Sequence, residues 1–387
     1  MKPLSTKTAG FTDSIIRRMT RISLKYGSIN LSQGFPDFDP PKAITDRLAE
    51  IAPYGPHQYA VTWGAQNFRE ALARKQKHFS GMDVDPDREI VVTCGSTEAM
   101  CASVAALCNP DENVVIFSPF YENYGADAIL NGCHAIYIPL VPPDFHFDPD
   151  LIEEAFKDPK TKAMILCNPS NPTGKVFSYD ELKIIADLAI KYDIYVITDE
   201  VYEHILYEPN KHLYIAAFPG MRERTIICSS LSKTYSITGW RLGYTIAPPQ
   251  ITDRIKKVHD FLTVGAAAPL MEACVTGLNF PDQYYKDLQA HYTHMKNLFV
   301  DGLHRLGLRC VDPQGAYYVL VDISEYGYED DYEFAVDLCR KVGVTGVPGS
   351  TFFKEPVKNY IRFHFAKNDE TLEKALERLA DIDIMKK

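Results

Sequence analysis

Ser229-Ser-Leu-Ser-Lys-Thr-Tyr-Ser-Ile-Thr-Gly-Trp-Arg-Leu-Gly243 sets one lysine, Lys233, among four serines and two threonines. The apolar run Thr225-Ile-Ile-Cys228 just before it predicts a short buried strand. Gly239, Arg241 and Gly243 follow at two-residue spacing. A lysine placed just past a buried strand, ringed by hydroxyls and followed by an arginine, suits one chemistry. Its amine can form an imine with an aldehyde, while the hydroxyls and the arginine hold a phosphate. Most lysines lie on the surface, so an ordinary solvated Lys233 is the alternative. The rest of the chain decides between the two.

Outward from this stretch, apolar runs at residues 89–93, 113–117, 135–140, 162–167 and 194–198 read as strands. Helical stretches separate them, among them 65–79, a run ending near Leu107, and 179–192. The runs do not alternate internally, which predicts an α/β fold whose mostly parallel sheet is covered by helices on both faces. Ligands of such sheets sit at the carboxyl ends of the strands. Polar clusters stand at that edge five times over: Gly95-Ser-Thr97, Tyr121, Asn168-Pro-Ser-Asn-Pro-Thr-Gly174, Asp199-Glu-Val-Tyr202 and Ser230 to Lys233. A strand, a Gly-Ser-Thr turn and a helix is a phosphate-binding arrangement, although Thr97 could equally be a helix cap.

After Pro249 the pattern turns helical. A long amphipathic helix is predicted over 283–306, then a strand at 316–322, a helix over 332–342, a loop over 346–353, a strand at 360–365 and a last helix from Asp369. This predicts a smaller α+β domain. At the other end, residues 11–22 read as an amphipathic helix and Asn30 to Pro41 as irregular, with Gly34 placed for a close approach to a ligand or for a plain turn. The expected division is an N-terminal arm and first part of the small domain over 1–45, a large domain over 46–280 and the rest of the small domain over 281–387. Arg362 alternates with Ile361 and Phe363 on the late strand. Facing inward, it needs an anion, either a ligand carboxylate or an Asp or Glu of the chain.

The combination resembles the class I aminotransferases, pyridoxal-phosphate enzymes of fold type I, over nearly the whole chain. The lysine segment, Asn-Pro-x-Asn-Pro-Thr-Gly, Asp-Glu-Val-Tyr and the late Arg-Phe match in order and approximate spacing. The resemblance implies that Lys233 carries pyridoxal 5'-phosphate as an imine and later shuttles the proton. It implies that Asp199 pairs with the ring nitrogen, that Tyr202 and Asn171 bond its phenolic oxygen, and that Tyr121 stacks on the ring. Ser96, Thr97, Ser230, Ser232 and Arg241 would hold the phosphate, with Tyr59 reaching it from the other subunit of a homodimer. Arg362 would clamp the substrate carboxylate, helped by Asn171 and the Gly34 backbone. The implied activity is ping-pong transfer of an amino group from an L-amino acid to a 2-oxo acid.

Gln33 to Phe38 resembles the branch acting on aromatic amino acids, methionine, glutamine and kynurenine. Phe11, Phe35, Tyr54, Trp63 and Phe352 are expected to build an apolar pocket for a large neutral side chain with 2-oxoglutarate as acceptor. Aspartate is the rival substrate. It needs a second cation, for which Arg17, Arg18, Arg21 and His57 are candidates. A C–S β-lyase on the same fold and a non-enzymatic pyridoxal-phosphate-binding regulator are the readings from other classes.

Composition narrows the field. The chain has 387 residues, 46% hydrophobic, and a net charge of −10, which disfavours nucleic acid and anionic membranes as partners. No run approaches the roughly 20 apolar residues of a membrane span. The first residues lack the apolar core of a secretory signal. Nine cysteines are scattered without a Cys-x-x-Cys pair, Cys101 and Cys108 at core spacing on a helix. They read as reduced thiols of a cytoplasmic protein, with neither a disulfide framework nor a metal site expected.

Overall fold

The computed structural model describes residues 2–9, 11 and 13–387. Helix α1 (Ile15–Tyr26) precedes strand β1 (Ile29–Asn30), and helices α2 (Lys42–Ile51) and α3 (Gln66–Ser80) follow. An alternating series then runs β2 (Ile90–Cys94), α4 (Ser96–Leu107), β3 (Asn113–Ser118), α5 (Asn123–Leu130), β4 (His134–Pro139), α6 (Pro149–Lys157), β5 (Thr161–Cys167), α7 (Tyr179–Lys191) and β6 (Tyr195–Asp199). Strands β7 (Thr225–Ser230) and β8 (Leu242–Ile246) close it. Helices α8 (Pro249–Thr263), α9 (Ala268–Leu278) and α10 (Asp282–Arg305) come next. The last quarter holds β9 (Cys310–Val311), β10 (Tyr318–Asp322), α11 (Asp331–Asp337), β11 (Val344–Thr345), β12 (Val347–Pro348), β13 (Tyr360–His364) and α12 (Asp369–Leu379).

Seven strands form one sheet in the order β2-β8-β7-β6-β5-β3-β4. Every neighbouring pair is parallel except those made by β8, which runs antiparallel to both β2 and β7. The apolar runs lack internal alternation because both faces are covered. Val115, Phe117, Met164 and Leu166 pack with Ile152 of α6 and Leu182 and Ile185 of α7. Their chain neighbours Val114, Ile116, Ala163 and Ile165 pack with Ala102 of α4, Ala128 of α5 and Ile251 of α8. Successive side chains leave a strand on opposite faces, so two cores demand apolar residues at every position. All β-strand residues of β3, β7 and β8 are buried.

A second sheet, β12-β13-β10-β9, is antiparallel, and β1 pairs parallel with β11 through Ile29 opposite Val344. Residues from near both chain ends therefore build one layer, with α10 and α12 packed on it around Tyr292, Phe299, Leu372 and Leu379.

The structure departs from the sequence reading in several places. Strand β8 was not expected, since Gly243 at its second position weakens a strand pattern. The first helix sits later than 11–22; Ser14 precedes it and Gly27, in the left-handed conformation at φ 64°, stops it. The helix expected over 332–342 is a short α-helix continued by a π-helical turn, Leu338–Val342. The loop expected over 346–353 contains β12 and a 3-10 turn. Among the described residues no helix is long and apolar enough to cross a membrane.

Candidate active site

A cleft of about 580 Å³ opens at the carboxyl edge of the large sheet, where α1, the Gln33–Phe35 segment and β13 face it. At one end β2 runs through Gly95 into α4. Gly95 takes φ 80° and has no side chain to cap the helix, which leaves the first-turn N–H groups of Ser96 and Thr97 to the cleft. Thr97 is thus the second residue of the helix rather than its cap. Ser230 ends β7, and Ser232 and Lys233 follow at once. Arg241, left-handed at φ 55°, precedes β8. A Cβ on Gly95 would collide with the Arg241 guanidinium, and one on Gly243 would stand 2.5 Å from the Ser96 amide nitrogen. Two glycines therefore let a helix N-terminus and an arginine converge.

Lys233 is partly buried beside the opposite wall, its Nζ donating to the Gly34 carbonyl at 3.3 Å. Burial, helped by the charges of Arg241 and Arg362 and opposed by Asp199, pulls its ammonium down from 10.5 to about 8. Asp199 is buried at the end of β6. Its carboxylate accepts from the Tyr124 hydroxyl at 2.7 Å and from the Val201 amide at 3.4 Å. Burial raises its carboxyl above the ordinary value, and these two bonds work against that rise. The Tyr202 and Tyr318 hydroxyls share a hydrogen bond of 3.0 Å. The ring of Tyr121 lines the cleft, edge-on to Tyr124 at 5.8 Å.

Arg362 is 1% exposed on β13. Its Nη1 donates to Asn171 Oδ1 at 2.7 Å and its Nη2 to the Ser32 carbonyl at 2.9 Å. Its guanidinium lies between the rings of Tyr318 and Phe352, 4.3 and 4.4 Å from their centres. Its Nε has no partner. No ion pair joins it to a carboxylate of the described residues, and burial pulls its value below the usual one. A buried cation without a counter-anion is costly unless a ligand supplies one. Gly34 is a close approach and not a plain turn, because a Cβ there would strike the Tyr318 hydroxyl. Its carbonyl also accepts from Tyr317 at 2.8 Å.

Every residue expected to touch the cofactor or the substrate carboxylate lines this cleft except Tyr59, which is 85% exposed and stands apart. The expected apolar pocket is only partly assembled. Phe35 lines the cleft and Phe352 lies under Arg362, whereas Phe11 and Tyr54 are exposed away from it. Trp63 packs instead against the core beside α8, under Lys256. Of the four candidate cations, Arg17 alone reaches the cleft; Arg18 stacks on Tyr332, Arg21 pairs with Asp13, and His57 lies outside. Tyr124 and Tyr318 were missed. Each acts by bonding another cleft residue, and only the one-turn spacing from Tyr121 to Tyr124 hints at either.

The profile of the family described as aminotransferase class I and II matches residues 26–379. A probable N-succinyldiaminopimelate aminotransferase of Mycobacterium tuberculosis is 34% identical over 96% of each chain. A methionine aminotransferase of Escherichia coli is 36% identical over 95% of this chain and 96% of its own. A solved aspartate aminotransferase from Thermus thermophilus, a single mutant, superposes with a TM-score of 0.91 at 30% identity, over 99% of this chain and 100% of that one.

Proposed function

The chain belongs to the class I and II aminotransferases, and on that premise we propose that it carries an amino group from a large neutral L-amino acid to 2-oxoglutarate in two half-reactions at one cleft. Its cofactor is pyridoxal 5'-phosphate, as throughout this family. The residues fit that group. The cleft has a size ordinary for small-ligand sites, the Gly95–Gly243 cradle keeps backbone amides and Arg241 together, and an amine whose ammonium is pulled down to about 8 faces the same cleft as a buried carboxylate. The observation that carries the reading is Arg362, buried, without an acidic partner among the described residues and facing the same cleft as Lys233.

The roles follow from position and chemistry. Ser96 and Thr97, Ser230, Ser232 and Arg241 hold the phosphate. Asp199, whose charged form the Tyr124 hydrogen bond favours, would hold a proton on the ring nitrogen. Tyr202 and Asn171 would bond the phenolic oxygen, and Tyr121 would cover a ring face. When bound, the cofactor supplies an aldehyde to take the amine and a cationic ring to withdraw the electron pair left at the substrate Cα. Arg362, Asn171 and the Gly34 backbone orient the substrate carboxylate, so that the Cα proton faces Lys233. The Lys233 amine, facing the same cleft, would serve as the base that moves that proton.

The relative named a methionine aminotransferase supports a large neutral donor, as does the Phe35 wall. Arg17, with no ion-pair partner among the described residues, suits the distal carboxylate of 2-oxoglutarate. The same residue favours aspartate as the second reading. A half-reaction screen of all amino acids, followed by loss of the visible absorbance of the lysine-bound cofactor, separates them. Methionine and the aromatic amino acids should react fastest; a fast aspartate with inert methionine reverses the assignment.

We further propose a homodimer. Tyr54, Tyr59, Val61, Phe261, Leu262 and Val264 are all exposed. The first three and the last three adjoin, since the Thr62 carbonyl accepts from His259 at 2.9 Å and a Cβ on Gly265 would touch it. An apolar surface of that kind fits a second copy, and Tyr59 would reach the phosphate of the partner.

A further inference from the structure

Beyond the C-terminal end of α10, three side chains that take no part in the cleft converge. His304 is in the last turn of the helix, Cys310 lies on β9 and Asp312 just follows it. Their ring nitrogen, sulfur and carboxylate oxygen all fall within 4.8 Å of one another. The local chain dictates this. Gly307, at φ 77°, reverses the chain after α10, and buried Leu308 pins the turn. Pairing of Cys310 with Val321 and of Val311 with Leu320 brings the extended segment back past the helix end. Residues two apart in an extended chain project to the same side.

A thiol, an imidazole and a carboxylate together also describe a nucleophilic triad. A triad needs the thiol on one ring nitrogen and the acid on the other. Here both reach for the same atom. Asp312 Oδ1 is 2.8 Å from His304 Nε2, and Cys310 Sγ is 3.7 Å from Nε2 but 4.0 Å from Nδ1. The sulfur thus lies nearer the nitrogen that Asp312 already holds, which is not the layout of a relay. Three donors closing on one point are the layout of a cation site. With Zn–S near 2.3 Å and Zn–N near 2.0–2.1 Å, sulfur and nitrogen at adjacent tetrahedral corners stand about 3.6 Å apart. The matching nitrogen–oxygen separation is about 3.3 Å, so the exposed Asp312 side chain would swing out by about 0.5 Å.

We propose that His304 Nε2, the Cys310 thiolate and the Asp312 carboxylate bind one divalent cation of borderline softness, Zn²⁺ by preference, with water in the fourth position. Mixed nitrogen, sulfur and oxygen ligands favour Zn²⁺ over Mg²⁺ or Ca²⁺. Binding releases the thiol proton to solvent. The ion clips the end of α10 to the edge strand β9 and so stiffens the turn between them. This amends the expectation that no cysteine here is a metal ligand.

The test uses the chelator-treated holoenzyme titrated with Co²⁺. One equivalent per chain should give d–d bands in the red, clear of the cofactor absorbance, and Zn²⁺ should abolish them. Cys310→Ser and His304→Gln, at positions that are not buried, should each weaken binding by more than the roughly 10–100-fold that follows loss of an outer partner. Zn²⁺ should raise the melting temperature of the parent protein and not of the variants, with transamination unchanged in all. Absence of the Co²⁺ bands, or equal binding and equal thermal shift in the two variants, overturns the proposal and assigns any uptake to other surface histidines.

Discussion

Lys233 shows how a single position acquires its chemistry. An ordinary lysine holds its proton up to about 10.5, and this one, drawn out of water and facing two arginines, lets go near 8. The folded form thus binds the proton less firmly than the unfolded chain. The free amine is the reactive form, so capture of pyridoxal phosphate by the apoenzyme should speed up with pH and level off just above 8. A rate still rising toward 10, followed by the growth of visible absorbance, would mean that the amine is solvated. Arg362→Ala should lower kcat/KM by roughly 30- to several-thousand-fold, the 2–5 kcal/mol typical of a buried charged partner. Unchanged kinetics would return the residue to a structural role. Tyr124→Phe leaves Asp199 with one bond fewer. Loss of a hydrogen bond to a charged group costs about 1.5–3 kcal/mol, so turnover should fall by ten- to a hundredfold and its acidic limb should move to higher pH, as read from a kcat–pH profile. Lys233, Asp199 and Arg362 were legible in the sequence because each stands at a strand end or on a strand in a recognisable pattern. Tyr124 and Tyr318 were not, because a single sequence carries no mark of a tyrosine that serves another side chain.

Among the elements, β8 teaches most. Its antiparallel course between β2 and β7 puts Gly243 against the start of α4. Without a Cβ there, the strand lies close enough for Arg241 and the helix N-terminus to share one anion. Gly243→Ala must push the two apart. The expected result is a loss of about 1–3 kcal/mol of folding stability, the usual cost of overpacking, together with weaker cofactor retention on dialysis. A variant that keeps both would show that the cradle tolerates a methyl group. The strand itself was illegible for the same reason that it matters, since glycine is the residue that strand patterns exclude. The parallel strands were plain because two cores leave the middle of each to apolar residues. Helix ends were read less well: α1 is stopped by the backbone conformation of Gly27, which its apolar spacing does not announce.

At the scale of the whole molecule, we propose that the chain divides near residues 45 and 280, with the two ends joined in the smaller body and the cleft between it and the large sheet. Arg362 and Gly34 come from one side, and Lys233 and Asp199 from the other. A relative movement of the two sides would open and close the site. The proposed dimer makes a separate prediction. Sedimentation should give twice the chain mass at activity-assay concentrations, and Tyr59→Phe should raise the concentration of pyridoxal phosphate needed to restore half the activity. A fully active monomer would contradict it. Tyr59 alone among the expected site residues stands off the cleft of its own chain, and no pattern within one chain can assign a residue to another.

The pairing of Ile29 with Val344 carries a consequence for biogenesis. During synthesis the segment around β1 emerges early and has no partner until nearly nine-tenths of the polypeptide has been translated. The seven-stranded sheet can assemble in the meantime, since its last strand, β8, is complete at Ile246. The small layer must wait, and contacts spanning such a distance form slowly. A ribosome stalled before residue 344 would therefore display a finished sheet with a bare N-terminal strap, and Arg362 on β13 would be the last of the proposed site residues to arrive.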